Sequence, residues 1–225
     1  MKKIFMSILA SCMLYSYNSG IEIGGMGGSQ SGIIKGSGIL VKKSFKLEDF
    51  NRVKVDASIN LIIKKASTSE YSIEADDNLI SLISVKKRGR TLIISSKKSY
   101  QTNNDIKIVL YTKALNFLIA NTSADIKLNG LNEEELLIKL DGAIDLIATS
   151  GNIGSLTVKT DGSYDVDLSS LKVKNAKVKM KGSGDVSIYV SKRLDATVSD
   201  NASLSYSGGA TVVKKISGNG DIDKN

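Results

Sequence analysis

The chain has 225 residues, a formal net charge of +8, 41% hydrophobic residues and 5% aromatic ones. That hydrophobic share excludes wholesale disorder, and with no Trp the core must be aliphatic. The absence of His removes the commonest general base and transition-metal ligand, and a single Cys excludes both an intrachain disulfide and a thiolate zinc cluster.

Met1-Lys2-Lys3 followed by the apolar run Ile4 to Tyr15 has the order of a secretory signal peptide, predicted over 1–20. The run is too short for a permanent spanning helix. Two processing routes compete. Leu9-Ala10-Ser11-Cys12 resembles a bacterial lipobox, which makes Cys12 the lipidation candidate and implies a lipid anchor, although cleavage there leaves a very short signal. The other route is cleavage near Ser19 or Gly20, whose small side chains suit a peptidase pocket. Either route predicts an exported protein of the periplasm, the outer membrane or the cell surface. The Gly- and Ser-rich residues 21–38 read as a flexible tether. No Gly-Lys-Ser/Thr ending follows these glycines, so they do not form a phosphate loop.

Residues 39–115 are predicted to be a β-rich N-terminal part that caps and feeds the repeats behind it. Val53, Val55, Asp56, Asn60, Leu61 and Ile63 already follow the spacing of those repeats. Tyr71 to Ala75, Thr91 to Ile94 and Asp105 to Tyr111 read as strands by their alternation. Asn78 to Val85 reads as a short helix or turn, and Lys87-Arg88-Gly89-Arg90 as a hairpin bend.

Residues 116–225 carry the strongest signal. Asp125, Asp145, Asp165 and Asp185 are twenty residues apart, and steps of eighteen lead on to Ser203 and Asp221. A fixed period of this length marks a stacked repeat. Counting from each of these anchor positions, the residues one and three places on and five, seven and nine places back are apolar with few exceptions. Ile126, Leu146, Val166, Val186, Leu204 and Ile222 form the first of these series. Such alternation is a strand with one buried face, and it occurs on both sides of a corner. Asp141-Gly142, Asp161-Gly162, Lys181-Gly182 and Ser217-Gly218 mark that corner, where a Gly serves positive φ or tight clearance. Asp200 and Asn201 take the place of the Gly in one unit. Ile153 and Val173 hint at a third, shorter segment. The fold expected is all-β, a right-handed parallel β-helix or solenoid with coils of 18–20 residues.

The order of Gly36-Ser37-Gly38-Ile39, Phe50-Asn51-Arg52-Val53-Lys54-Val55, Tyr71 to Leu79, Thr91 to Ile94 and Ile216 to Ile222 resembles the autotransporter-adhesin head domains of bacterial envelope proteins, also called GIN domains. The resemblance covers Gly36 to Asp223. It implies a right-handed β-helix and an exported location, and it supplies no catalytic residues.

Asp125, Asp145, Asp165, Asp185 and Asp221 stand at an outward offset and are the ligand or cation candidates. Neighbouring strands would place them about 4.8 Å apart, where two like charges in water repel by about 0.9 kcal/mol before salt screening. With Asp141, Asp161 and Asp167 nearby, the column is a candidate for Ca²⁺ through oxygen ligands. Lys139, Lys159 and Lys179, with Lys215, form a second outward column and are the exposed basic candidates. Both columns also read simply as solvated strand faces, with a general attraction to anionic surfaces as the milder functional reading of the Lys. Arg52, Arg88, Arg90 and Arg193 are the only Arg residues, and Arg is the preferred reader of phosphate and bases, so no specific nucleic-acid partner is expected.

No catalytic residue is predicted. A glycosidase needs two carboxylates at a defined separation, and flat ladders are expected to offer no deep pocket. The function expected is a non-enzymatic, adhesin-like envelope or surface module, its partner a cell-envelope or extracellular glycan or protein. The alternatives are a glycan-binding or glycan-cleaving β-helix and a Ca²⁺-stabilised solenoid. No other cofactor is implied.

Overall fold

The computed structural model describes residues 32–225. The signal-peptide reading, both cleavage routes and Cys12 lie outside the described residues. Ten strands precede the main repeats: β1 (Ile34–Lys35), β2 (Leu40–Lys46), β3 (Arg52–Asp56), β4 (Ile59–Lys65), β5 (Glu70–Asp76), β6 (Ile83–Arg88), β7 (Thr91–Ser96), β8 (Tyr100–Gln101), β9 (Lys107–Thr112) and β10 (Phe117–Ala120). The repeats run through β11 (Ala124–Met180), β12 (Ser183–Val198), β13 (Asn201–Ser207), β14 (Thr211–Ile216) and β15 (Asp221–Lys224). A 3-10 turn at Ile80–Leu82 is the one helical element among the described residues, so the architecture is all-β. β1 and β8 form a small sheet of their own, and the other strands join into one 13-stranded sheet that curls and stays open.

The period of the sequence is the pairing register. Phe117 to Ala120 pair in parallel with Leu137 to Leu140, and Asp165 pairs with Asp185, in steps of twenty. Asp185, Ser203 and Asp221 then pair in steps of eighteen. Register irregularities between Leu168 and Asn175 absorb the two missing residues, so both main strands of each unit stay aligned.

Burial follows the odd offsets. The six residues one place past each anchor are between 0% and 3% exposed. Ile153 and Val173, the hint of a third segment, are each 1% exposed. The exceptions fall in the last unit, where Val212 is half-buried and Ile216 is exposed, because no further strand lies beneath them. Lys214 occupies the inward column there, in register with Ala196. Its Nζ donates to the Ile222 carbonyl at 2.6 Å and lies 5.3 Å from the centre of the Tyr206 ring, closing the end of the core with its stem.

The stacking order departs from chain order. Val53 pairs with Leu118 and Asn60 with Asp125, so the unit built from β3 and β4 lies directly on the unit that begins with β10. β7 and β9 lie on the far side of β3 and β4. The matching offsets explain the first contact. The free edges of β7 and β9 are covered by antiparallel partners, β6 and β5, and β5 is covered in turn by β2. Antiparallel strands thus end the parallel stack on this side, whereas β14 and β15 have no strand beyond them among the described residues.

The corner glycines are close approaches. Gly142, Gly162 and Gly182 stack on one another with φ of 136°, 103° and 95°. A Cβ on Gly162 would lie 2.5 Å from the Gly142 carbonyl oxygen. Asp200 is the one positive-φ residue other than Gly among the described residues, at 63°, and its carboxylate accepts the Gly182 N–H at 3.1 Å.

Thr160 and Tyr164 place hydroxyls in the aliphatic interior. The Thr160 hydroxyl and the Tyr164 hydroxyl are buried without a well-aligned hydrogen bond. Burial pushes the Tyr164 phenol up, and the nearby Thr160 hydroxyl only partly opposes it.

Of the glycine-rich segment, residues 32–38 are described. Ile34 and Lys35 pair with Tyr100 and Gln101. Gly36 sits against the Asp76 carboxylate with no room for a Cβ. Asp76, 2% exposed, accepts from Thr102 Oγ1 at 2.6 Å and Asn104 Nδ2 at 2.7 Å. These bonds, helped by the Gly38 N–H, hold its carboxyl below the usual carboxylate range against the opposing effect of burial. Asn78 donates to the Lys35 carbonyl at 2.8 Å and accepts the Ser37 N–H at 3.1 Å.

Candidate functional site

Every anchor side chain is exposed, from Asp125 through Ser203 to Asp221. Alternation forces this, because the residue on either side of each anchor faces the core. An open groove of about 920 Å³ runs along the column. Asn60, Asp125, Asp145 and Asp165 line it, and two places further along each strand so do Ile62, Lys127, Ile147 and Asp167. Ser187 of β12, Leu40 of β2, Glu74 of β5, Lys107 of β9 and Asn104 and Asp105 of the turn before β9 also line it. A second cleft, of about 630 Å³, borders the other side of the same Asp residues and is lined by Ser58, Ser123, Ser163 and Ser183.

The ladder pattern predicts a flat face without a deep pocket; the structure shapes that face into an open groove. The antiparallel strands and the turn before β9 rise beside the first units and turn that face into a groove. Asp76 positions this part of the wall, because its bonds to Thr102 and Asn104 fix the turn that carries Asn104 and Asp105.

The groove brings together Asp125, Asp145 and Asp165. Asp185 continues the column in register with Asp165, but neither it nor Asp221 lines the groove, and Ser203 separates the two. Glu74, Asp105, Asp125, Asp145, Asp165 and Asp167 face only Lys107 and Lys127, so the groove is acidic on a chain with net charge +8. Ile147, 44% exposed, and Leu40, 51% exposed, add apolar surface. Among the described residues, no three His, Cys, Asp or Glu side chains are grouped so as to hold a metal ion. The carboxylates run in a row, whereas Ca²⁺ takes six to eight oxygens around a point.

Lys139, Lys159 and Lys179 lie on a different outer face, the one carried by the strand before the corner. They share a shallow cleft of about 310 Å³ with Asp161, Lys181, Thr197 and Ser199. Sequence reasoning missed Leu40, Glu74, Asn104 and Asp105 in the groove. They belong to antiparallel strands and a turn, and no period connects them to the Asp column.

Among the described residues no helix is long and apolar enough to cross a membrane. Crystal structures of other bacterial proteins share the fold. One from Bacteroides fragilis, described as "a putative adhesin", matches with a TM-score of 0.69 at 23% identity, over 85% of this chain and 100% of that one. Another from Parabacteroides merdae gives 0.53 at 22% identity, over 85% and 98% of the two chains. A third from Parabacteroides distasonis gives 0.52 at 20%, over 85% and 99%. No curated protein matches the chain. The family model described as "Putative auto-transporter adhesin, head GIN domain" matches residues 49–210, and the chain belongs to that family.

Proposed function

We propose that the chain is an exported, non-enzymatic, adhesin-like module whose units wind as a right-handed parallel β-helix and whose groove over Asp125, Asp145 and Asp165 holds a partner of the cell envelope or its surroundings. The winding is supported by the parallel registers of twenty and eighteen residues, since parallel crossovers in one sheet are right-handed in nearly all cases. Export is supported by the family and by the signal-like residues 1–20.

The acidic groove is the observation that carries the binding role. Six carboxylates against two ammonium groups favour a cationic partner, and complementary charge steers such a partner onto the face. The groove is long, and exposed Ile147 and Leu40 lie along it. An extended protein segment that alternates Lys or Arg with apolar residues fits this surface. Catalysis is not proposed, because the Asp column is open to water and the chain has no His.

Titration of the purified protein with extended basic peptides, followed by fluorescence anisotropy, tests the reading. Saturable binding should weaken at least tenfold in the Asp145→Asn/Asp165→Asn double variant. No binding by the wild type, together with release of products from an envelope polysaccharide, would replace this reading with the enzymatic one. Fractionation of the producing cell tests export, and retention of the chain in the cytoplasm would overturn that part.

A further inference from the structure

Among the described residues, the three lysines of the basic column are exposed and unpaired. Lys54 pairs with Asp56 at 2.6 Å, Lys181 with Asp161 at 3.4 Å and Arg193 with Asp195 at 2.7 Å. Among the described residues, Lys139, Lys159 and Lys179 form no salt bridge with any carboxylate, and all three are exposed. Asp141 and Asp161 stand two places along the same strands, and Asp161 is already engaged by Lys181.

The column continues upward through Ile119 to Lys54 and downward through Thr197 to Lys215. Ile119 and Thr197 demonstrate that the strand accepts uncharged residues at this offset. Like charges directly opposite one another on neighbouring strands destabilise a sheet. Here three ammonium groups nonetheless stand in a row, about 4.8 Å from level to level. Their stems, together with Thr197 and Ser199, frame the shallow cleft. The result is a straight array of cationic donors with hydroxyls at one end and one carboxylate, Asp161, which Lys181 pairs at 3.4 Å.

We propose that this cleft binds a linear acidic polysaccharide, with the chain lying across the strands and its carboxylate or sulfate groups meeting Lys139, Lys159 and Lys179 in succession. Thr197 supplies a hydroxyl partner for the sugar, and Ser199, whose hydroxyl donates to the Met180 carbonyl at 3.1 Å, supplies an acceptor. The lining argues against the other polyanions. It contains no Arg for bidentate phosphate contacts and no aromatic ring on which a base could stack. Nor does it contain the large exposed apolar side chains with which a protein enters the acyl boundary of a membrane. The inference is independent of the groove reading, because the Lys column and the Asp column lie on different faces.

The test titrates the full chain with alginate and with dextran sulfate at low salt, using neutral dextran, an oligothymidine and phosphatidylglycerol vesicles as comparisons. The expected result is saturable binding to at least one acidic polysaccharide and none to neutral dextran. The Lys139→Ser/Lys159→Ser/Lys179→Ser variant should bind at least tenfold more weakly, and Lys159→Ser alone about threefold more weakly. These side chains are exposed, so circular dichroism of the variants should match the wild type. A control variant, Lys42→Ser/Lys43→Ser/Lys46→Ser, removes equal charge from β2 and should bind as the wild type does. The Asp145→Asn/Asp165→Asn variant should keep its polysaccharide affinity even if its peptide binding is lost, which separates the two readings. Equal binding by the triple Lys variant and the wild type overturns the proposal. So does an equal loss in the β2 control, which would mean diffuse charge attraction, or a preference for the oligonucleotide or the vesicles.

Discussion

Replacing Gly162 by Ala probes the corner column. Gly162 has φ of 103°, a region that a residue with a Cβ rarely enters. The backbone strain alone costs roughly 1–3 kcal/mol. The added carbon would lie 2.5 Å from the Gly142 carbonyl oxygen and 2.9 Å from the Gly142 nitrogen. Both are backbone atoms, so relief requires two stacked units to move apart. Gly182 lies against Gly162 in the same way on the next level, so the shift cannot be confined to one pair. A total of about 4 kcal/mol follows, near the top of the range for single substitutions. For a domain of this size that lowers the melting temperature by roughly 10 °C. Gly89→Ala is the control, because Gly89 has φ of 57° in open space with nothing for the Cβ to meet. It should cost only about 1 kcal/mol, the left-handed penalty alone. Thermal melts by circular dichroism compare the two variants, and equal melting temperatures would refute the close-approach reasoning.

Thr160→Val should raise the urea midpoint, by about 1 kcal/mol in stability, because it replaces a buried hydroxyl lacking a well-aligned partner with a methyl of the same shape; a fall would mean that the hydroxyl is bonded. Lys214→Ala should lose about 1–2 kcal/mol through its carbonyl bond and its covering stem, and Lys214→Met should recover part of that loss. Asp76 has a folded-state carboxyl below its ordinary value, so its contribution is present above the unfolded pKa and is lost as pH falls through the folded one. Urea midpoints taken from pH 6 to pH 3 should therefore fall more steeply for the wild type than for Asp76→Asn, and parallel curves would exclude Asp76 as a source of the acid sensitivity. Raising NaCl from 0.1 M to 1 M shortens the screening length from about 10 Å to about 3 Å. It should raise the melting temperature by relieving like-charge contacts worth about 0.9 kcal/mol each in unscreened water, and a flat or falling melting curve would show that the columns carry no net strain.

Stacking like on like explains both what was legible in the sequence and what was not. A strand paired in register with the next copy of itself places each residue on its counterpart, so Asp165 meets Asp185 and Val166 meets Val186 without any long-range inference. The inward and outward faces, the corner glycines and the Asp200 bend were readable on that basis. The same logic fails for β7 and β9, which pair in register with β3 and β4 but whose spacing along the chain does not match the repeat and which lie beyond β3 and β4 against chain order. It fails again for the groove wall, where Glu74 and Asp105 come from strands and turns whose pattern is only generic alternation. Asp76 carries no signal of its role, because nothing in its neighbourhood announces that Gly36, Thr102 and Asn104 converge on it.

Tandem copying also sets how the charged columns should be read. Repetition alone stacks identical residues, so a column is not in itself a sign of selection. The informative positions are those where a column stops. The Asp series breaks at Ser203 and the Lys series at Thr197, both in the unit where the period has shortened from twenty to eighteen. Neither break disturbs the core, since Val198 and Leu204 on the adjoining inward positions stay at 0% and 1% exposure. Uncharged residues therefore satisfy the fold at both offsets. The three units with Asp125, Asp145 and Asp165 on one face, and the three with Lys139, Lys159 and Lys179 on the other, carry like charges that the sheet itself does not require. Under the two proposals, a partner of opposite charge relieves the repulsion on each face, and the two faces call for opposite partners. A module occupied in both ways would join a basic protein segment on one side to an acidic sugar chain on the other.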